Sequence, residues 1–183
     1  MENKDDLGRK FSQGGEAELA EVIEQYGSRI FRYCFNTVCD YHAAEDITQQ
    51  ALIKAYKNRK SFRADATLST WLYRIAYNCC IDYIRKRRFF LPLFEVKETS
   101  YASDAAEEEF SPDVIEALLR LTPKERAVVY GRIIEEKSYS ELAKISNISE
   151  VALRKRYTRA KQKLANALRS SDIIKGRLQN ETV

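Results

Sequence analysis

Several residue types that carry chemistry are scarce in this sequence of 183 residues. It has one histidine, one tryptophan and three prolines, and its six glycines form no phosphate-binding loop. No nucleophile motif accompanies the single histidine, so the sequence gives no support for an enzyme or for a bound cofactor. No apolar run approaches the ~20 residues of a membrane-spanning helix. Residues 1–10 are polar, unlike a secretory signal, and we therefore expect a cytoplasmic protein.

The four cysteines are Cys34, Cys39, Cys79 and Cys80. The first two are five positions apart and the last two are adjacent, and neither spacing is typical of a zinc site. In the cytosol they would stay reduced. We expect them to act as small apolar side chains, with a metal or thiol-sensing site that includes His42 as the alternative.

Charge is distributed unevenly along the chain. Residues 96–113 carry a net charge of −5, whereas residues 114–183 carry +7. The acidic stretch lacks a sustained apolar period, which predicts an acidic flexible linker over residues 96–110. A short helix over residues 104–110 is the alternative. The sequence thus divides into two pieces, and the second piece is basic.

Both pieces have the apolar spacing of helices. Side chains recurring at three- and four-residue steps predict helices around residues 19–34, 47–56 and 68–84 of the first piece. No stretch shows sustained two-residue alternation, so no strand is predicted. The expected fold is all-α, with two small helical domains. The helices of the second piece are predicted over residues 114–121, 124–136, 140–145 and 150–168.

Helix starts are well marked in the second piece. Thr122 and Glu125 have the spacing of a capping box, with Pro123 at the first helical position. Pro112 follows Ser111 in the same way one helix earlier. These signals predict a helix that begins at each proline.

Residues 139–163 have the pattern of a helix-turn-helix. Asn147 stands in the tight turn, where a positive φ is needed, and Ser149 can cap the following helix. From Val151 to Ser171 there is no acidic residue and there are seven cations. A helix with such a surface suits the major groove of DNA, although a solvated basic face is the alternative. The residues predicted to contact duplex DNA are Ser149, Arg154, Lys155, Arg156, Thr158 and Arg159.

Aromatic, polar and basic side chains alternate over residues 69–88, a composition suited to holding unstacked bases. The stretches STWLYRIAYN and IDYIRKRR lie here, with AEDITQQALIKAYKN before them and LTPKERAVV and YSELAKISNISEVALRKRYTRAKQKL downstream. In series, these motifs resemble a bacterial sigma factor of the extracytoplasmic-function group of the sigma-70 family. The resemblance implies region two over residues 15–95 and region four over residues 111–170, with tails at 1–14 and 171–183.

The resemblance implies a role for the helix near residue 50. This helix would dock on the clamp helices of the β′ subunit of RNA polymerase. Gln50 and Leu52 stand where the family usually has Glu and Phe. The docking residues implied are Asp46, Ile47, Gln49, Gln50, Leu52, Ile53 and Tyr56.

The resemblance also implies a site for the minus-ten element of the promoter. Asn78, in the loop and helix start after the helix that contains Trp71, would hold a base flipped from the non-template strand. Four cations that follow would hold the backbone nearby. The residues implied at this site are Trp71, Asn78, Arg85, Lys86, Arg87 and Arg88, while the helix-turn-helix would read the minus-thirty-five element.

The resemblance implies three partners: core RNA polymerase, through its β′ clamp helices and β flap, promoter DNA, and an anti-sigma factor. An extended linker of this length reaches about 60 Å, close to the roughly 58 Å between promoter elements about 17 base pairs apart. Two other classes stay open on the residues alone. One is a helix-turn-helix regulator whose first piece dimerises or senses a ligand, and the other is a DNA-acting enzyme such as a recombinase.

Overall fold

The computed structural model describes residues 4–63, 65–90 and 112–180, with side chains over 6–63, 65–87 and 114–169. Every regular element in these ranges is helical, so the all-α prediction is confirmed. The N-terminal group contains α1 (Lys4–Gln13), α2 (Glu16–Val38), α3 (Tyr41–Lys57), a short 3-10 helix (Arg59–Ser61) and α4 (Leu68–Phe90). The C-terminal group contains α5 (Pro112–Leu119), α6 (Pro123–Ile133), α7 (Tyr139–Ser146) and α8 (Glu150–Asn180).

The predicted capping box begins α6. The Glu125 amide donates to the Thr122 hydroxyl at 3.3 Å, and the Thr122 amide donates to the Glu125 carboxylate at 2.8 Å. Two amides at the open end of the helix are therefore satisfied. Helix α5 begins at Pro112, as its sequence predicts. Each helix of the C-terminal group thus has a defined start.

A tight corner joins α2 to α3 and is tied to α4. Cys39 ends α2 in the left-handed conformation, with φ 59°, and Asp40 caps α3 by accepting from the Ala43 amide at 3.0 Å. The other carboxylate oxygen of Asp40 lies 3.4 Å from Arg87 of α4. One carboxylate therefore fixes the relative positions of three helices.

The chain before residue 15 differs from the prediction of a tail. Residues Lys4–Gln13 form α1, and the buried side chains of Leu7 and Phe11 face the N-terminal group. The Phe11 ring meets the Trp71 ring edge-on at a centroid distance of 6.5 Å. Two apolar residues in a charged segment are a weak sequence signal, and the helix is anchored by rings that are distant in sequence.

Two other boundaries also differ. Helix α8 runs to Asn180, so residues 171–180 continue a helix rather than form the predicted tail. Helix α4 is continuous from Leu68 to Phe90. The predicted linker over residues 96–110 and the alternative helix over 104–110 lie outside the described residues. No helix in the described part of the chain is long and apolar enough to cross a membrane.

The two helical groups share one apolar core. Tyr33 of α2 lies against both Tyr73 of α4 and Tyr130 of α6, at ring-centroid distances of 5.0 and 6.2 Å. Within the C-terminal group, Gly131 of α6 lets Leu142 of α7 pack closely, because a Cβ there would lie 2.7 Å from the Leu142 side chain. The C-terminal group is therefore packed directly on the N-terminal group.

Candidate nucleic-acid and polymerase interfaces

Helices α7 and α8 form the predicted helix-turn-helix. Asn147 ends α7 with φ 52° and ψ 48°, the left-handed conformation expected for it, and its amide donates to the Ala143 carbonyl. The Ser149 hydroxyl then accepts from the Ala152 amide at 3.3 Å and caps α8. The turn chemistry predicted from the sequence is confirmed at both residues.

Most of the predicted duplex-reading side chains lie on the exposed surface of α8. Ser149, Lys155, Thr158 and Arg159 are exposed, and so is Arg154. Arg154 has two local partners: its guanidinium lies 4.3 Å from the centroid of the Tyr139 ring and 3.3 Å from the Glu150 carboxylate. The exposed face is cationic and has the form of a major-groove reader.

Arg156 differs from its predicted place on that face. It is half-buried, and its Nη1 atom is buried without a hydrogen-bond partner among the described residues. Burial raises the pKa of the Tyr77 phenol, and the nearby Arg156 guanidinium opposes that rise. Arg156 therefore faces α4 of the N-terminal group in this structure. The spacing in the sequence places Arg156 beside the exposed face of α8. Only the packing of α8 against α4 shows that Arg156 lies near Tyr77.

A cavity of about 350 Å³ lies at the start of α4. The rings of Phe62 and Trp71 meet there edge-on, at a centroid distance of 5.6 Å. Three cations also line it, Arg63, Arg74 and Lys144, the last of which comes from α7. Aromatic faces beside cations provide the stacking and phosphate contacts that an unpaired nucleotide needs.

The resemblance implied that Asn78 lies in a loop, but the structure places it within a helix. It is exposed in the middle of the continuous α4, two turns after Trp71, and it does not line the cavity. The spacing of three and seven residues places Trp71, Arg74 and Asn78 on one side of the helix. The absence of a helix-breaking residue between Trp71 and Asn78 was the signal for continuity.

The segment before α4 also belongs to the cavity, although its sequence gave no prediction of a site. Phe62, Arg63 and Asp65 line the cavity opposite Trp71, and none of them was predicted as a site residue. The available signal was an aromatic residue and a cation directly before the Trp-containing helix. That signal is weak, because the segment has no helical or strand period.

The basic end of α4 is only partly free. Lys86 is exposed, Arg85 pairs with Asp82 at 3.0 Å, and Arg87 pairs with Asp40 at 3.4 Å. The Arg88 side chain lies outside the described residues. Arg87 therefore has a structural role at the α2–α3 corner in addition to its predicted one.

Helix α3 presents the predicted polymerase-docking face, with one correction. Asp46, Gln49 and Gln50 are exposed, and the Ile53 side chain stands in solvent with the residue 52% exposed. Leu52 and Tyr56 are half-buried. Ile47, at 2% exposure, lies in the core beneath this face and is not accessible in this structure. The residues that remain accessible on the predicted docking face are Asp46, Gln49, Gln50, Leu52, Ile53 and Tyr56.

The cysteines lie within the N-terminal group. All four are free and buried, and burial raises the pKa of both Cys79 and Cys80. A raised pKa keeps a thiol protonated and unreactive at neutral pH. In the described residues, no group of histidine, cysteine and acidic side chains is arranged to hold a metal ion.

Family models match both helical groups. The model described as Sigma-70 region 2 matches residues 22–90, and the model described as Sigma-70, region 4 matches residues 112–164. The first match includes α3, α4 and the cavity, and the second includes the helix-turn-helix.

The curated proteins that are similar to this chain include ECF RNA polymerase sigma factors. The chain is 32% identical over 177 residues to the ECF RNA polymerase sigma factor SigW of Bacillus subtilis, covering 88% of this chain and 94% of that protein. It is 33% identical over 157 residues to the ECF RNA polymerase sigma factor SigM of Mycobacterium tuberculosis, covering 85% and 79%.

Two solved structures have a similar fold. CnrH, in complex with the cytosolic domain of CnrY, superposes with a TM-score of 0.70 at 21% identity, over 92% of this chain and 99% of that chain. RpoE from Bartonella quintana, in complex with the anti-sigma factor NepR, gives 0.67 at 21% identity, over 82% and 96%. Two family models and a relative 32% identical over 88% of this chain agree, and the chain belongs to the extracytoplasmic-function group of the sigma-70 family.

Proposed function

We propose that this chain binds core RNA polymerase and directs it to promoters, reading the minus-thirty-five element as duplex and capturing the melted minus-ten non-template strand. The observation that carries the proposal is the presence of two different nucleic-acid surfaces on one chain. The exposed cationic face of α8 suits intact duplex, whereas the Phe62–Trp71 cavity suits an unstacked base.

In this mechanism, strand opening depends on binding energy alone. A captured base recovers part of the unstacking cost, a few kcal/mol, so the open strand binds better than the duplex. Trp71 and Phe62 supply the ring surfaces, and Arg63 and Arg74 lie where they can approach phosphate. Asn78, Arg85 and Lys86 extend the same side of the N-terminal group along the strand. The polymerase performs the RNA synthesis, and the sigma factor only positions it.

Docking to the polymerase is assigned to α3. The accessible face around Gln49, Gln50 and Ile53 would contact the β′ clamp helices, and the C-terminal group would contact the β flap. Ile53 adds a large exposed apolar side chain to this face, which a docked partner would bury. The similar structure of RpoE holds the anti-sigma factor NepR, which supports an anti-sigma factor as a further partner.

Run-off transcription with sigma-free core polymerase tests the proposal. We expect promoter-specific transcripts that require this chain, together with capture of the β′ subunit. A chain that binds duplex DNA alone but never captures β′ or initiates transcription would instead be a helix-turn-helix regulator. Arg154→Ala supplies the control, because it should reduce promoter-specific initiation while leaving β′ capture unchanged.

A further inference from the structure

One apolar side chain stands in the cationic face of α8. Val151, the second residue of the helix, is 63% exposed, the largest exposed fraction among the large apolar residues that the structure describes. A single exposed apolar residue is ordinary on a protein surface and by itself needs no explanation. What makes Val151 informative is its position on the helix.

Helical spacing places Val151 in the middle of the duplex-reading face. Lys155 and Thr158 follow it at steps of four and seven residues, so the three side chains lie in one row. Leu153 is fully buried and lies about 160° from Val151 around the helix, since each residue turns the chain by about 100°. Val151 therefore points away from the packed side of α8.

The surroundings of Val151 favour DNA over a protein partner. Arg154, Lys155, Thr158 and Arg159 are exposed on the same helix. A docked protein buries several apolar side chains at the core of its interface. Val151 is the one large apolar residue that is exposed over the part of α8 whose side chains are described. An isolated apolar group among cations suits a groove flanked by phosphates.

The major groove contains a matching apolar group. Thymine projects its 5-methyl group there, whereas the other groups that distinguish the bases are hydrogen-bond donors and acceptors. The first residues of a recognition helix are those that contact base edges, and Val151 lies in the first turn of α8. A valine beside a donor or acceptor would leave that group unpaired, but beside a methyl group it excludes water from both.

The first turn of α8 fixes this side chain before DNA binds. The Ser149 hydroxyl accepts from the Ala152 amide at 3.3 Å, and the Ser149 carbonyl accepts from the Leu153 amide at 2.9 Å. A β-branched side chain also has one strongly preferred rotamer in a helix. Val151 therefore loses little conformational freedom on contact, unlike the long cations around it.

We propose that Val151 is a specificity residue of the minus-thirty-five reader and packs against the 5-methyl group of a thymine in the major groove. The proposal rests on the function proposed above and adds the chemical group that one promoter position must carry. Arg154, three residues further on, has its Cβ about 5–6 Å away, and base pairs are about 3.4 Å apart. The thymine therefore lies within about two base pairs of the base that Arg154 reads.

The experiment begins by defining the duplex. Core polymerase that carries the full chain transcribes a promoter library with random minus-thirty-five and minus-ten elements, and sequencing of the transcribed templates gives the preferred elements. Each thymine of the preferred minus-thirty-five element, on either strand, is then replaced singly by deoxyuridine. This base lacks the 5-methyl group and keeps the same hydrogen bonds. Competition binding of the holoenzyme measures the affinity for each duplex.

For the unaltered chain, we expect deoxyuridine at one position to weaken binding about fourfold, the effect of burying one methyl group. Val151→Ala should bind the thymine duplex at least about fourfold more weakly and should not distinguish deoxyuridine from thymine at that position. Val151→Thr keeps the branched shape with one methyl group and should have an intermediate response. Because Val151 is exposed, these variants should fold normally, which circular dichroism checks.

Two further variants serve as controls. Ile23→Ala shortens another exposed apolar side chain, 45% exposed and outside the docking and DNA-binding faces, so the full deoxyuridine effect should remain. Arg154→Ala should also keep the deoxyuridine effect, while it loses selection at a base pair no more than about two steps away.

Equal deoxyuridine effects in the unaltered chain and in Val151→Ala would overturn the proposal. The absence of any deoxyuridine effect, or of thymine from both strands of the preferred element, would overturn it as well. In each of these cases promoter-specific transcription persists, so the proposed function stands. A chain that directs no promoter-specific transcription from the library would overturn the proposed function itself, and the role of Val151 with it.

Discussion

The guanidinium of Arg154 lies over the ring of Tyr139, 4.3 Å from its centroid. Tyr139 begins α7 and Arg154 lies in the first turns of α8, so the contact crosses the turn of the helix-turn-helix. Tyr157 supports the ring from the other helix at a centroid distance of 6.0 Å, and Glu150 holds the guanidinium at 3.3 Å. Arg154, one of the exposed candidates for base reading, is thus oriented before DNA arrives.

Tyr139→Leu should weaken selection of the minus-thirty-five element. Loss of the cation–π contact frees Arg154, and we expect about 1 kcal/mol of lost discrimination. Arg154→Ala sets the upper limit, about 1–3 kcal/mol at one base pair. The measurement is competition binding, or run-off transcription, on promoters altered singly within this element. Tyr139→Phe keeps the ring and should behave like the unaltered chain; equal losses for Phe and Leu would contradict a role for the ring.

Asn78→Ala should weaken promoter opening and leave duplex binding nearly intact. Asn78 is exposed on the same side of α4 as Trp71, so its removal does not disturb the core. We expect fewer permanganate-reactive thymines within the minus-ten element at equal promoter occupancy. Normal permanganate reactivity in this variant would remove Asn78 from the base-capture site. Trp71→Ala is the comparison, because it also removes a wall of the cavity and should reduce opening further.

Ile53→Asp should reduce the affinity for core polymerase about tenfold, as expected for a buried apolar contact at a docking surface. Ile53 is more than half exposed in the free chain, so the variant should fold normally. Ile23→Asp on α2 is a matched control, since Ile23 is 45% exposed and lies outside the predicted docking face. The measurement is capture of core polymerase by the immobilised chain. Equal effects at the two positions would contradict docking through α3.

Acid should destabilise the C-terminal group through Glu125. Burial alone would raise the pKa of Glu125, but hydrogen bonds from Lys163 and Thr122 outweigh it and lower this pKa below 4.5. A lowered pKa in the folded state adds stability above pH 4.5. That stability is lost as the pH falls through the pKa that Glu125 has in the folded protein. Thermal unfolding should therefore show a steeper loss below pH 4.5 for the unaltered chain than for Glu125→Gln. Parallel pH profiles would contradict this role.

The sequence predicted which helices form better than it predicted where the chain's helical structure begins and ends. Each helix between residues 16 and 168 was expected, because its apolar period and its caps lie within a few neighbouring residues. The capping box at Thr122 and the positive φ at Asn147 are confirmed for the same reason. Helix α1 was missed, because Leu7 and Phe11 are too few to give a period and Phe11 packs on Trp71, which is distant in sequence.

The candidate site was predicted in part. The exposed faces of α3 and α8 follow from helical spacing, so the accessible docking and duplex-reading residues could be proposed in advance. Spacing could not show that Ile47 points into the core or that Arg156 meets Tyr77. Both outcomes depend on which helix packs alongside. The loop wall of the cavity was missed, because irregular segments leave no periodic signal.

By itself the sequence determined the helical class, the turn chemistry and the cationic surface of α8, since each depends on residues within about one helical turn of one another. Only the tertiary structure decided that Lys144 closes the cavity beside Trp71 and that Glu135 meets Arg29. Those contacts join residues from 73 to 106 positions apart. Pairing at such separations is set by how whole helical faces fit together, and no local pattern encodes it.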